Sequence, residues 1–270
     1  RRAAFTGEVR GLPIGLEQVD QHTNGVLPGE LAAFVGFAKT GKSHILCSAA
    51  KAHRLAGFTP YVATLELSVE DFEDRLDAHM SGLSYTKIQR GRLEREEIES
   101  LRRSQEEFAS LGPMYIEKPP RGERSVPQLV NRARQLGCDS LLIDQLSFME
   151  SRKGYAKTSD KITEIMFDLK SEISEDETAM MPTFLAVQFN RESMKLKKGR
   201  GGMEHIGLSA SIEQTVDIAY GLHQSREMRV NRSLVLDIMG FRRGAPQTWL
   251  LEWDLAERTR LGVRGIIEDE

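Results

Sequence analysis

Gly36-Phe37-Ala38-Lys39-Thr40-Gly41-Lys42-Ser43 reads G-x-x-x-x-G-K-S, the spacing of a phosphate-cradling turn. Its glycines permit a tight bend, so that successive backbone N–H groups converge on one anion. Lys42 is placed to reach β- and γ-phosphates, and the Ser43 hydroxyl to ligate Mg²⁺. Both flanks agree. Leu31-Ala32-Ala33-Phe34-Val35 is an apolar run of strand length, and His44 to Leu55 reads as a helix, whose N-terminus adds partial positive charge at the phosphate. The segment 36–43 is therefore expected to bind ATP with Mg²⁺. The plainer reading, a glycine-rich turn with an exposed lysine, leaves both flanks unexplained.

Outward from this turn, strand and helix patterns alternate. Strands are expected at 31–35, 60–65, 114–117, 140–144, 183–188, 216–222, 233–239 and 247–252. Helices are expected at 42–56, 69–80, 84–90, 94–110, 125–136 and 158–176. Alternation of this kind predicts an α/β fold: a mostly parallel twisted sheet with helices on both faces. The last strands have no long helix between them and are expected to form an antiparallel edge extension. The 270 residues, 40% of them hydrophobic, suffice for one α/β domain, with a short arm over 1–11 and a tail over 255–270.

Three predicted strands end in a polar residue. Ser140-Leu141-Leu142-Ile143-Asp144 ends in an acid, where open α/β sheets bind ligands; Asp144 is expected to contact Mg²⁺ directly or through water. Glu66 follows Tyr61-Val62-Ala63-Thr64-Leu65 and is a candidate general base for the attacking water. Gln188 ends Thr183-Phe184-Leu185-Ala186-Val187 and is placed to sense the γ-phosphate. Each alone is an ordinary strand-end residue; beside one phosphate turn they form a set. That set includes no second cation for the γ-phosphate. Gly240-Phe241-Arg242-Arg243-Gly244 follows an apolar strand, so the Arg242 guanidinium can project from a strand end. A planar, permanently charged group suits a γ-phosphate.

The formal net charge of −3 makes any nucleic-acid contact local. Two stretches, 149–160 and 190–207, carry Gly, Lys and Arg with few large apolar residues. The first holds Arg152, Lys153, Tyr155 and Lys157. The second holds Arg191, Lys195, Lys197, Lys198 and Arg200 against one acid, Glu192. Such loops suit tracking of a phosphate backbone, and a solvated surface is the alternative. Cys47 and Cys138 are widely spaced on predicted core elements and read as buried thiols of a reducing, cytoplasmic compartment. No apolar run approaches membrane-spanning length and no signal peptide is expected. A chain that begins at Arg1 without Met is expected to be a fragment or trimmed.

The order of these motifs resembles the RecA-like ATPase domain of DnaB-type replicative helicases, within the RecA and KaiC group. Gly15 to Asp20 and Gly25 to Glu30 look like the family's entry segment. Leu65-Glu66-Leu67-Ser68 is similar to its L-E-M-S, Gly91-Arg92-Leu93 to a G-R-L segment, and Leu142-Ile143-Asp144 to V-I-D. Gln188-Phe189-Asn190-Arg191 is similar to Q-L-N-R, and Ser211-Ile212-Glu213-Gln214 with Asp217 to [SG]-x-I-E-Q-x-A-D. The resemblance spans about Gly11 to Asp254. It implies that Glu66 is the catalytic base, Asp144 the metal-associated acid and Gln188 the sensor. Arg242 falls where the family carries an arginine finger, given in trans to a neighbouring subunit. The two basic loops would line a channel for single-stranded DNA in a homo-oligomer, a hexameric ring. Gly240-Phe241-Arg242 departs from the family's Lys-Gln-Arg, so one trans cation is missing unless Arg243 replaces it. The chain as given is expected to lack the family's amino-terminal collar domain. The alternatives are a RecA-like recombination or repair ATPase, nuclease-associated roles included, and a KaiC-like regulatory ATPase. The lack of a four-cysteine zinc module and of a duplicated ATPase domain weighs against their zinc-bearing and clock-type branches.

Overall fold

The computed structural model describes residues 10–155, 157–175, 178–188 and 210–268. They build a nine-stranded sheet in the order β3-β2-β4-β5-β1-β6-β7-β8-β9. The strands are β1 (Leu31–Gly36), β2 (Pro60–Thr64), β3 (Tyr115–Glu117), β4 (Ser140–Asp144), β5 (Thr183–Gln188), β6 (Ile218–His223), β7 (Ser233–Phe241), β8 (Thr248–Asp254) and β9 (Arg260–Ile267). Strands β3, β2, β4, β5, β1 and β6 are parallel, and β6 to β9 continue antiparallel. The helices are α1 (Glu17–Thr23), α2 (Lys42–Leu55), α3 (Val69–Ser81), α4 (Tyr85–Gln89), α5 (Arg95–Ser110), α6 (Val126–Gln135), α7 (Thr158–Ser174), α8 (Ala210–Thr215) and α9 (Arg226–Val230).

Strand β1 shows why the sheet is covered on both faces. Leu31, Ala33 and Val35 enter one core cluster, against α6 and α7. Ala32 and Phe34 enter the other, with α2 and both tryptophans. All six residues are buried, as a parallel strand between helical layers requires. Phe34 lies between Phe184 of β5 and Tyr220 of β6, at ring-centroid distances of 6.5 and 5.3 Å.

Local signals set the helix ends. Ser68 caps α3 by accepting the Asp71 N–H at 3.0 Å, and the helix stops at Gly82 with φ of 71°, a left-handed conformation that glycine adopts without strain. Ser125 and Gln128 form a reciprocal capping box at α6, as Glu94 and Glu97 do at α5.

The expected elements all appear, with ends shifted by one or two residues. The expected tail over 255–270 is corrected: 260–267 is β9, paired with β8 along its length. Leu261 and Val263 pack on the core while Arg260, Gly262 and Arg264 take the intervening positions, so the apolar face is narrow and interrupted by glycine. Of the expected arm, residues 1–9 lie outside the described residues, and Arg10 and Gly11 are bonded to Asn24. Of the irregular stretch 149–160, Glu150 pairs with Ser125 and α7 begins at Thr158. The stretch 190–207 lies outside the described residues. Among those residues no helix is long and apolar enough to cross a membrane.

Trp249 of β8 is 1% exposed, sits opposite Leu236 and Ile266, and meets the His22 ring edge-on at 5.3 Å. Trp249→Ala is expected to destabilise the fold by about 3–5 kcal/mol, the range for a large buried aromatic, measured by urea unfolding. A loss below about 1 kcal/mol would contradict the packing of this edge.

Candidate active site

The phosphate turn lies at the carboxyl end of β1. Lys39 and Gly41 hold positive φ values of 64° and 95°, which turn the chain back before α2. Thr40 closes the turn, its hydroxyl donating to Phe37 O at 2.8 Å. Lys42 folds across the turn, with Nζ 3.1 Å from Gly36 O and 2.8 Å from Phe37 O. Burial lowers its pKa to about 8, against the upward pull of Asp144 and Glu66. The turn is thus held by its own lysine at the place where a β/γ-phosphate would draw that ammonium.

The polar strand ends surround it. Asp144 is 1% exposed; burial raises its pKa to about 6, with the Ser43 hydroxyl bonded to it in opposition. Its Oδ2 is buried and has no hydrogen-bond partner. A carboxylate oxygen left unpaired beside a P-loop serine fits Mg²⁺, which takes one or two protein oxygens and fills its shell with phosphate and water. No group of three or more His, Cys, Asp or Glu poised for a metal occurs among the described residues.

Glu66 is exposed and stands beside Asp144, since its N–H donates to Asp144 O at 3.1 Å and Thr64 is level with Asp144 across β2 and β4. Gln188 is level with Gly36 across β5 and β1. Its amide oxygen accepts from Gln145 Nε2 at 3.3 Å, and Gln145 is itself buried. Lys42, Ser43, Glu66 and Gln188 line one cleft of about 500 Å³.

That cleft includes residues the sequence reading did not single out. Arg75 of α3 lines it, with its guanidinium 5.0 Å from the Tyr85 ring centroid and bonded to Asp71 O. Its charge helps hold the Asp144 pKa down. Arg75 is thus a cation of the same subunit at the cleft, beside Lys42. The signal was a lone arginine among Glu70, Asp71, Glu73, Asp74 and Asp77. Trp253, Gln224, Arg229 and Arg232 also line the cleft. A Cβ on Gly41 would lie 2.2 Å from Trp253 Cζ2, so the turn is packed directly on the indole. Arg232 is tied to Asp254 at 3.0 Å and to Glu257.

Residues 11–258 match the family model for the DnaB-like helicase C terminal domain. The chain belongs to that family. Over 221 residues it is 25% identical to the replicative DNA helicase DnaB of Helicobacter pylori (strain ATCC 700392 / 26695), covering 80% of this chain and 44% of the relative. Over 223 residues it is 22% identical to the DnaB of Leifsonia xyli subsp. xyli (strain CTCB07), covering 81% and 48%. The chain thus spans less than half the length of these relatives. Among solved structures, a DnaB-like replicative helicase described with its primase interactions superposes with a TM-score of 0.82 at 20% identity, over 94% of this chain and 62% of that one. A second solved structure, described as an ATPase domain, superposes with a TM-score of 0.80 at 21% identity, over 92% and 90%. These likenesses establish the fold. The family is one of nucleotide-binding ATPase domains, and the G-x-x-x-x-G-K-S turn lines this cleft.

Among the described residues, the other expected site residues of this DnaB-type domain, Arg152, Lys153, Lys157 and Arg242, do not line the cleft. Arg152 pairs with Asp168 of α7 at 3.2 Å, while Lys153 and Lys157 are exposed. Arg191, Lys195, Lys197, Lys198 and Arg200 lie outside the described residues. Arg242 follows β7, whose Phe241 is opposite Ile218 at the start of β6, while Gly36 is opposite Leu222 near the end of β6. Arg242 is therefore at the end of the sheet opposite its own phosphate turn, roughly 15 Å away along the strands at about 3.3 Å per residue. Arg243 is bound inward, to Glu30 at 2.5 Å and Gly25 O at 2.8 Å.

Gly41→Ala combines a strained φ with a clash against Trp253, and is expected to weaken nucleotide binding at least tenfold in a titration while the far-UV spectrum stays that of the wild type. Asp144→Asn should separate stability from function. The folded-state pKa of about 6 lies above the ordinary value of 3.8, so the stability contributed below 3.8 is lost as pH rises through about 6. Without nucleotide and in chelator at pH 7.5, Asp144→Asn should unfold at higher urea, by roughly 1–3 kcal/mol, and the gap should close toward pH 4. It should bind Mg²⁺-dependent nucleotide poorly. Equal stability at pH 7.5 would refute a strained carboxylate.

Proposed function

We propose that this chain is the ATP-hydrolysing motor domain of a DnaB-type helicase, moving on single-stranded DNA as part of a homo-hexameric ring in the cytoplasm. The observation that carries this reading is the separation of the site's two halves: the cleft at one end of the sheet and Arg242 at the other. Lys42 and the turn's N–H groups hold the β- and γ-phosphates. Ser43 and the free oxygen of Asp144 would hold Mg²⁺, which neutralises charge on those phosphates when bound. Glu66 accepts the proton of the attacking water, and Gln188, steadied by Gln145, registers the γ-phosphate. Arg242 stabilises the transferring phosphoryl group from the next subunit. A head-to-tail contact of this kind closes into a ring. The basic loops, with Lys153, Lys157 and the run Arg191 to Arg200, track the DNA backbone.

Mixing subunits tests the arrangement. Arg242→Ala and Glu66→Gln are each expected to lose about 10³-fold or more of ATPase, and mixed assemblies to regain part of it at interfaces joining an intact Glu66 to an intact Arg242. Single-stranded DNA should stimulate the wild type, and the stimulation should fall steeply with salt. An active Arg242→Ala protein, or no regain despite verified mixing, would reject the shared site; ATPase indifferent to single-stranded DNA would reject the motor.

A further inference from the structure

Arg242 does not hang free from its turn. Its N–H donates to Asp217 O at 3.0 Å, its Nη1 is 3.6 Å from Asp217 Oδ1, and its Nη2 donates to Gln214 O. The Asp217 carboxylate is in turn fixed from behind. Its Oδ2 accepts the Leu31 N–H at 2.8 Å and Lys170 Nζ at 2.6 Å, and the same ammonium reaches Gly29 O at 2.8 Å. Asp217 is 7% exposed, whereas the Arg242 side chain is 49% exposed. A half-exposed guanidinium thus rests on a buried, doubly bonded carboxylate. Leu31 is the first residue of β1, and the sixth is Gly36 of the phosphate turn.

We propose that Asp217 is a positioning residue for the neighbour's reaction: it braces Arg242 against β1, so that the strand carrying one subunit's phosphate turn also carries the seat of the cation given to the next. This rests on the proposed role of Arg242 in trans. A flexible arginine must lose its rotamer freedom on reaching a phosphate, and a braced one has lost much of it beforehand. Lys170 pairs with Oδ2 at 2.6 Å, which leaves Oδ1 for the guanidinium. Asp217→Asn retains an acceptor for Leu31 but removes the charge that faces Arg242.

Homogeneous Asp217→Asn assemblies are expected to lose roughly 10–100-fold in kcat, less than Arg242→Ala loses. Direct titration should give wild-type nucleotide affinity, because the cleft of the same subunit is intact. The deciding measurement is complementation. When mixed with Glu66→Gln subunits, Asp217→Asn subunits should recover hydrolysis, since their own clefts then receive a well-seated Arg242 from the partner. A residue that merely supports its own phosphate turn through Leu31 would give no recovery. Should Asp217→Asn melt early because Lys170 is left unpaired, Asp217→Asn with Lys170→Met removes that cation and keeps the test intact. Wild-type kcat in the variant, weakened nucleotide affinity, or no complementation would each overturn the brace. Normal hydrolysis by Arg242→Ala would instead remove the trans role itself and identify that reading as the one that failed.

Discussion

A six-residue strand with no exposed residue, β1, holds the molecule's chemistry in place. It is hydrogen-bonded on both edges, to β5 and β6, and packed on both faces. Its alanines let helices approach where larger side chains would force them apart. Because the strand cannot shift without breaking two ladders and two core layers, Gly36 is delivered to a fixed point beside Gln188 and Leu222. The turn that follows needs only local features, the positive φ values of Lys39 and Gly41, to face the open end of the sheet.

Charge is concentrated at that end at the expense of the fold. Lys42 and Asp144 are both largely withdrawn from water, and burial pushes each toward its neutral form. Their mutual attraction offsets this only in part. A bound polyphosphate and a divalent cation would satisfy both groups, so the ligand completes a charge arrangement that the protein's own groups leave strained. Arg75 adds to this balance from α3, bound to backbone and stacked on Tyr85 rather than paired to a carboxylate.

The parallel half of the sheet was legible because buried strands are uninterrupted apolar runs, and because three of them led into a residue whose polarity had no structural purpose in the core. Asp144, Glu66 and Gln188 stand together for that reason. The antiparallel edge was harder to read. Gly262 and Gly265 weaken the alternation of β9, and its outward face carries Arg260 and Arg264, so it looks like tail. Arg75 and Trp253 reach the cleft through tertiary packing alone: one from the middle of an acidic helix, the other from the far end of a strand that arrives from across the sheet. No spacing rule links either to Gly41.

The contact between Gly41 and Trp253 has an optical consequence. The chain has two tryptophans. Trp249 is enclosed in the apolar layer, and Trp253 lies against the phosphate turn with Asp254 and Arg232 close by. An indole's emission follows the charges and water around it, so this domain carries a built-in fluorophore at its ligand site and a silent reference in its core. Nucleotide entry at the proposed site would then be readable in the unlabelled protein, and replacing Trp249 by another aromatic residue would leave a single reporter at the phosphate turn.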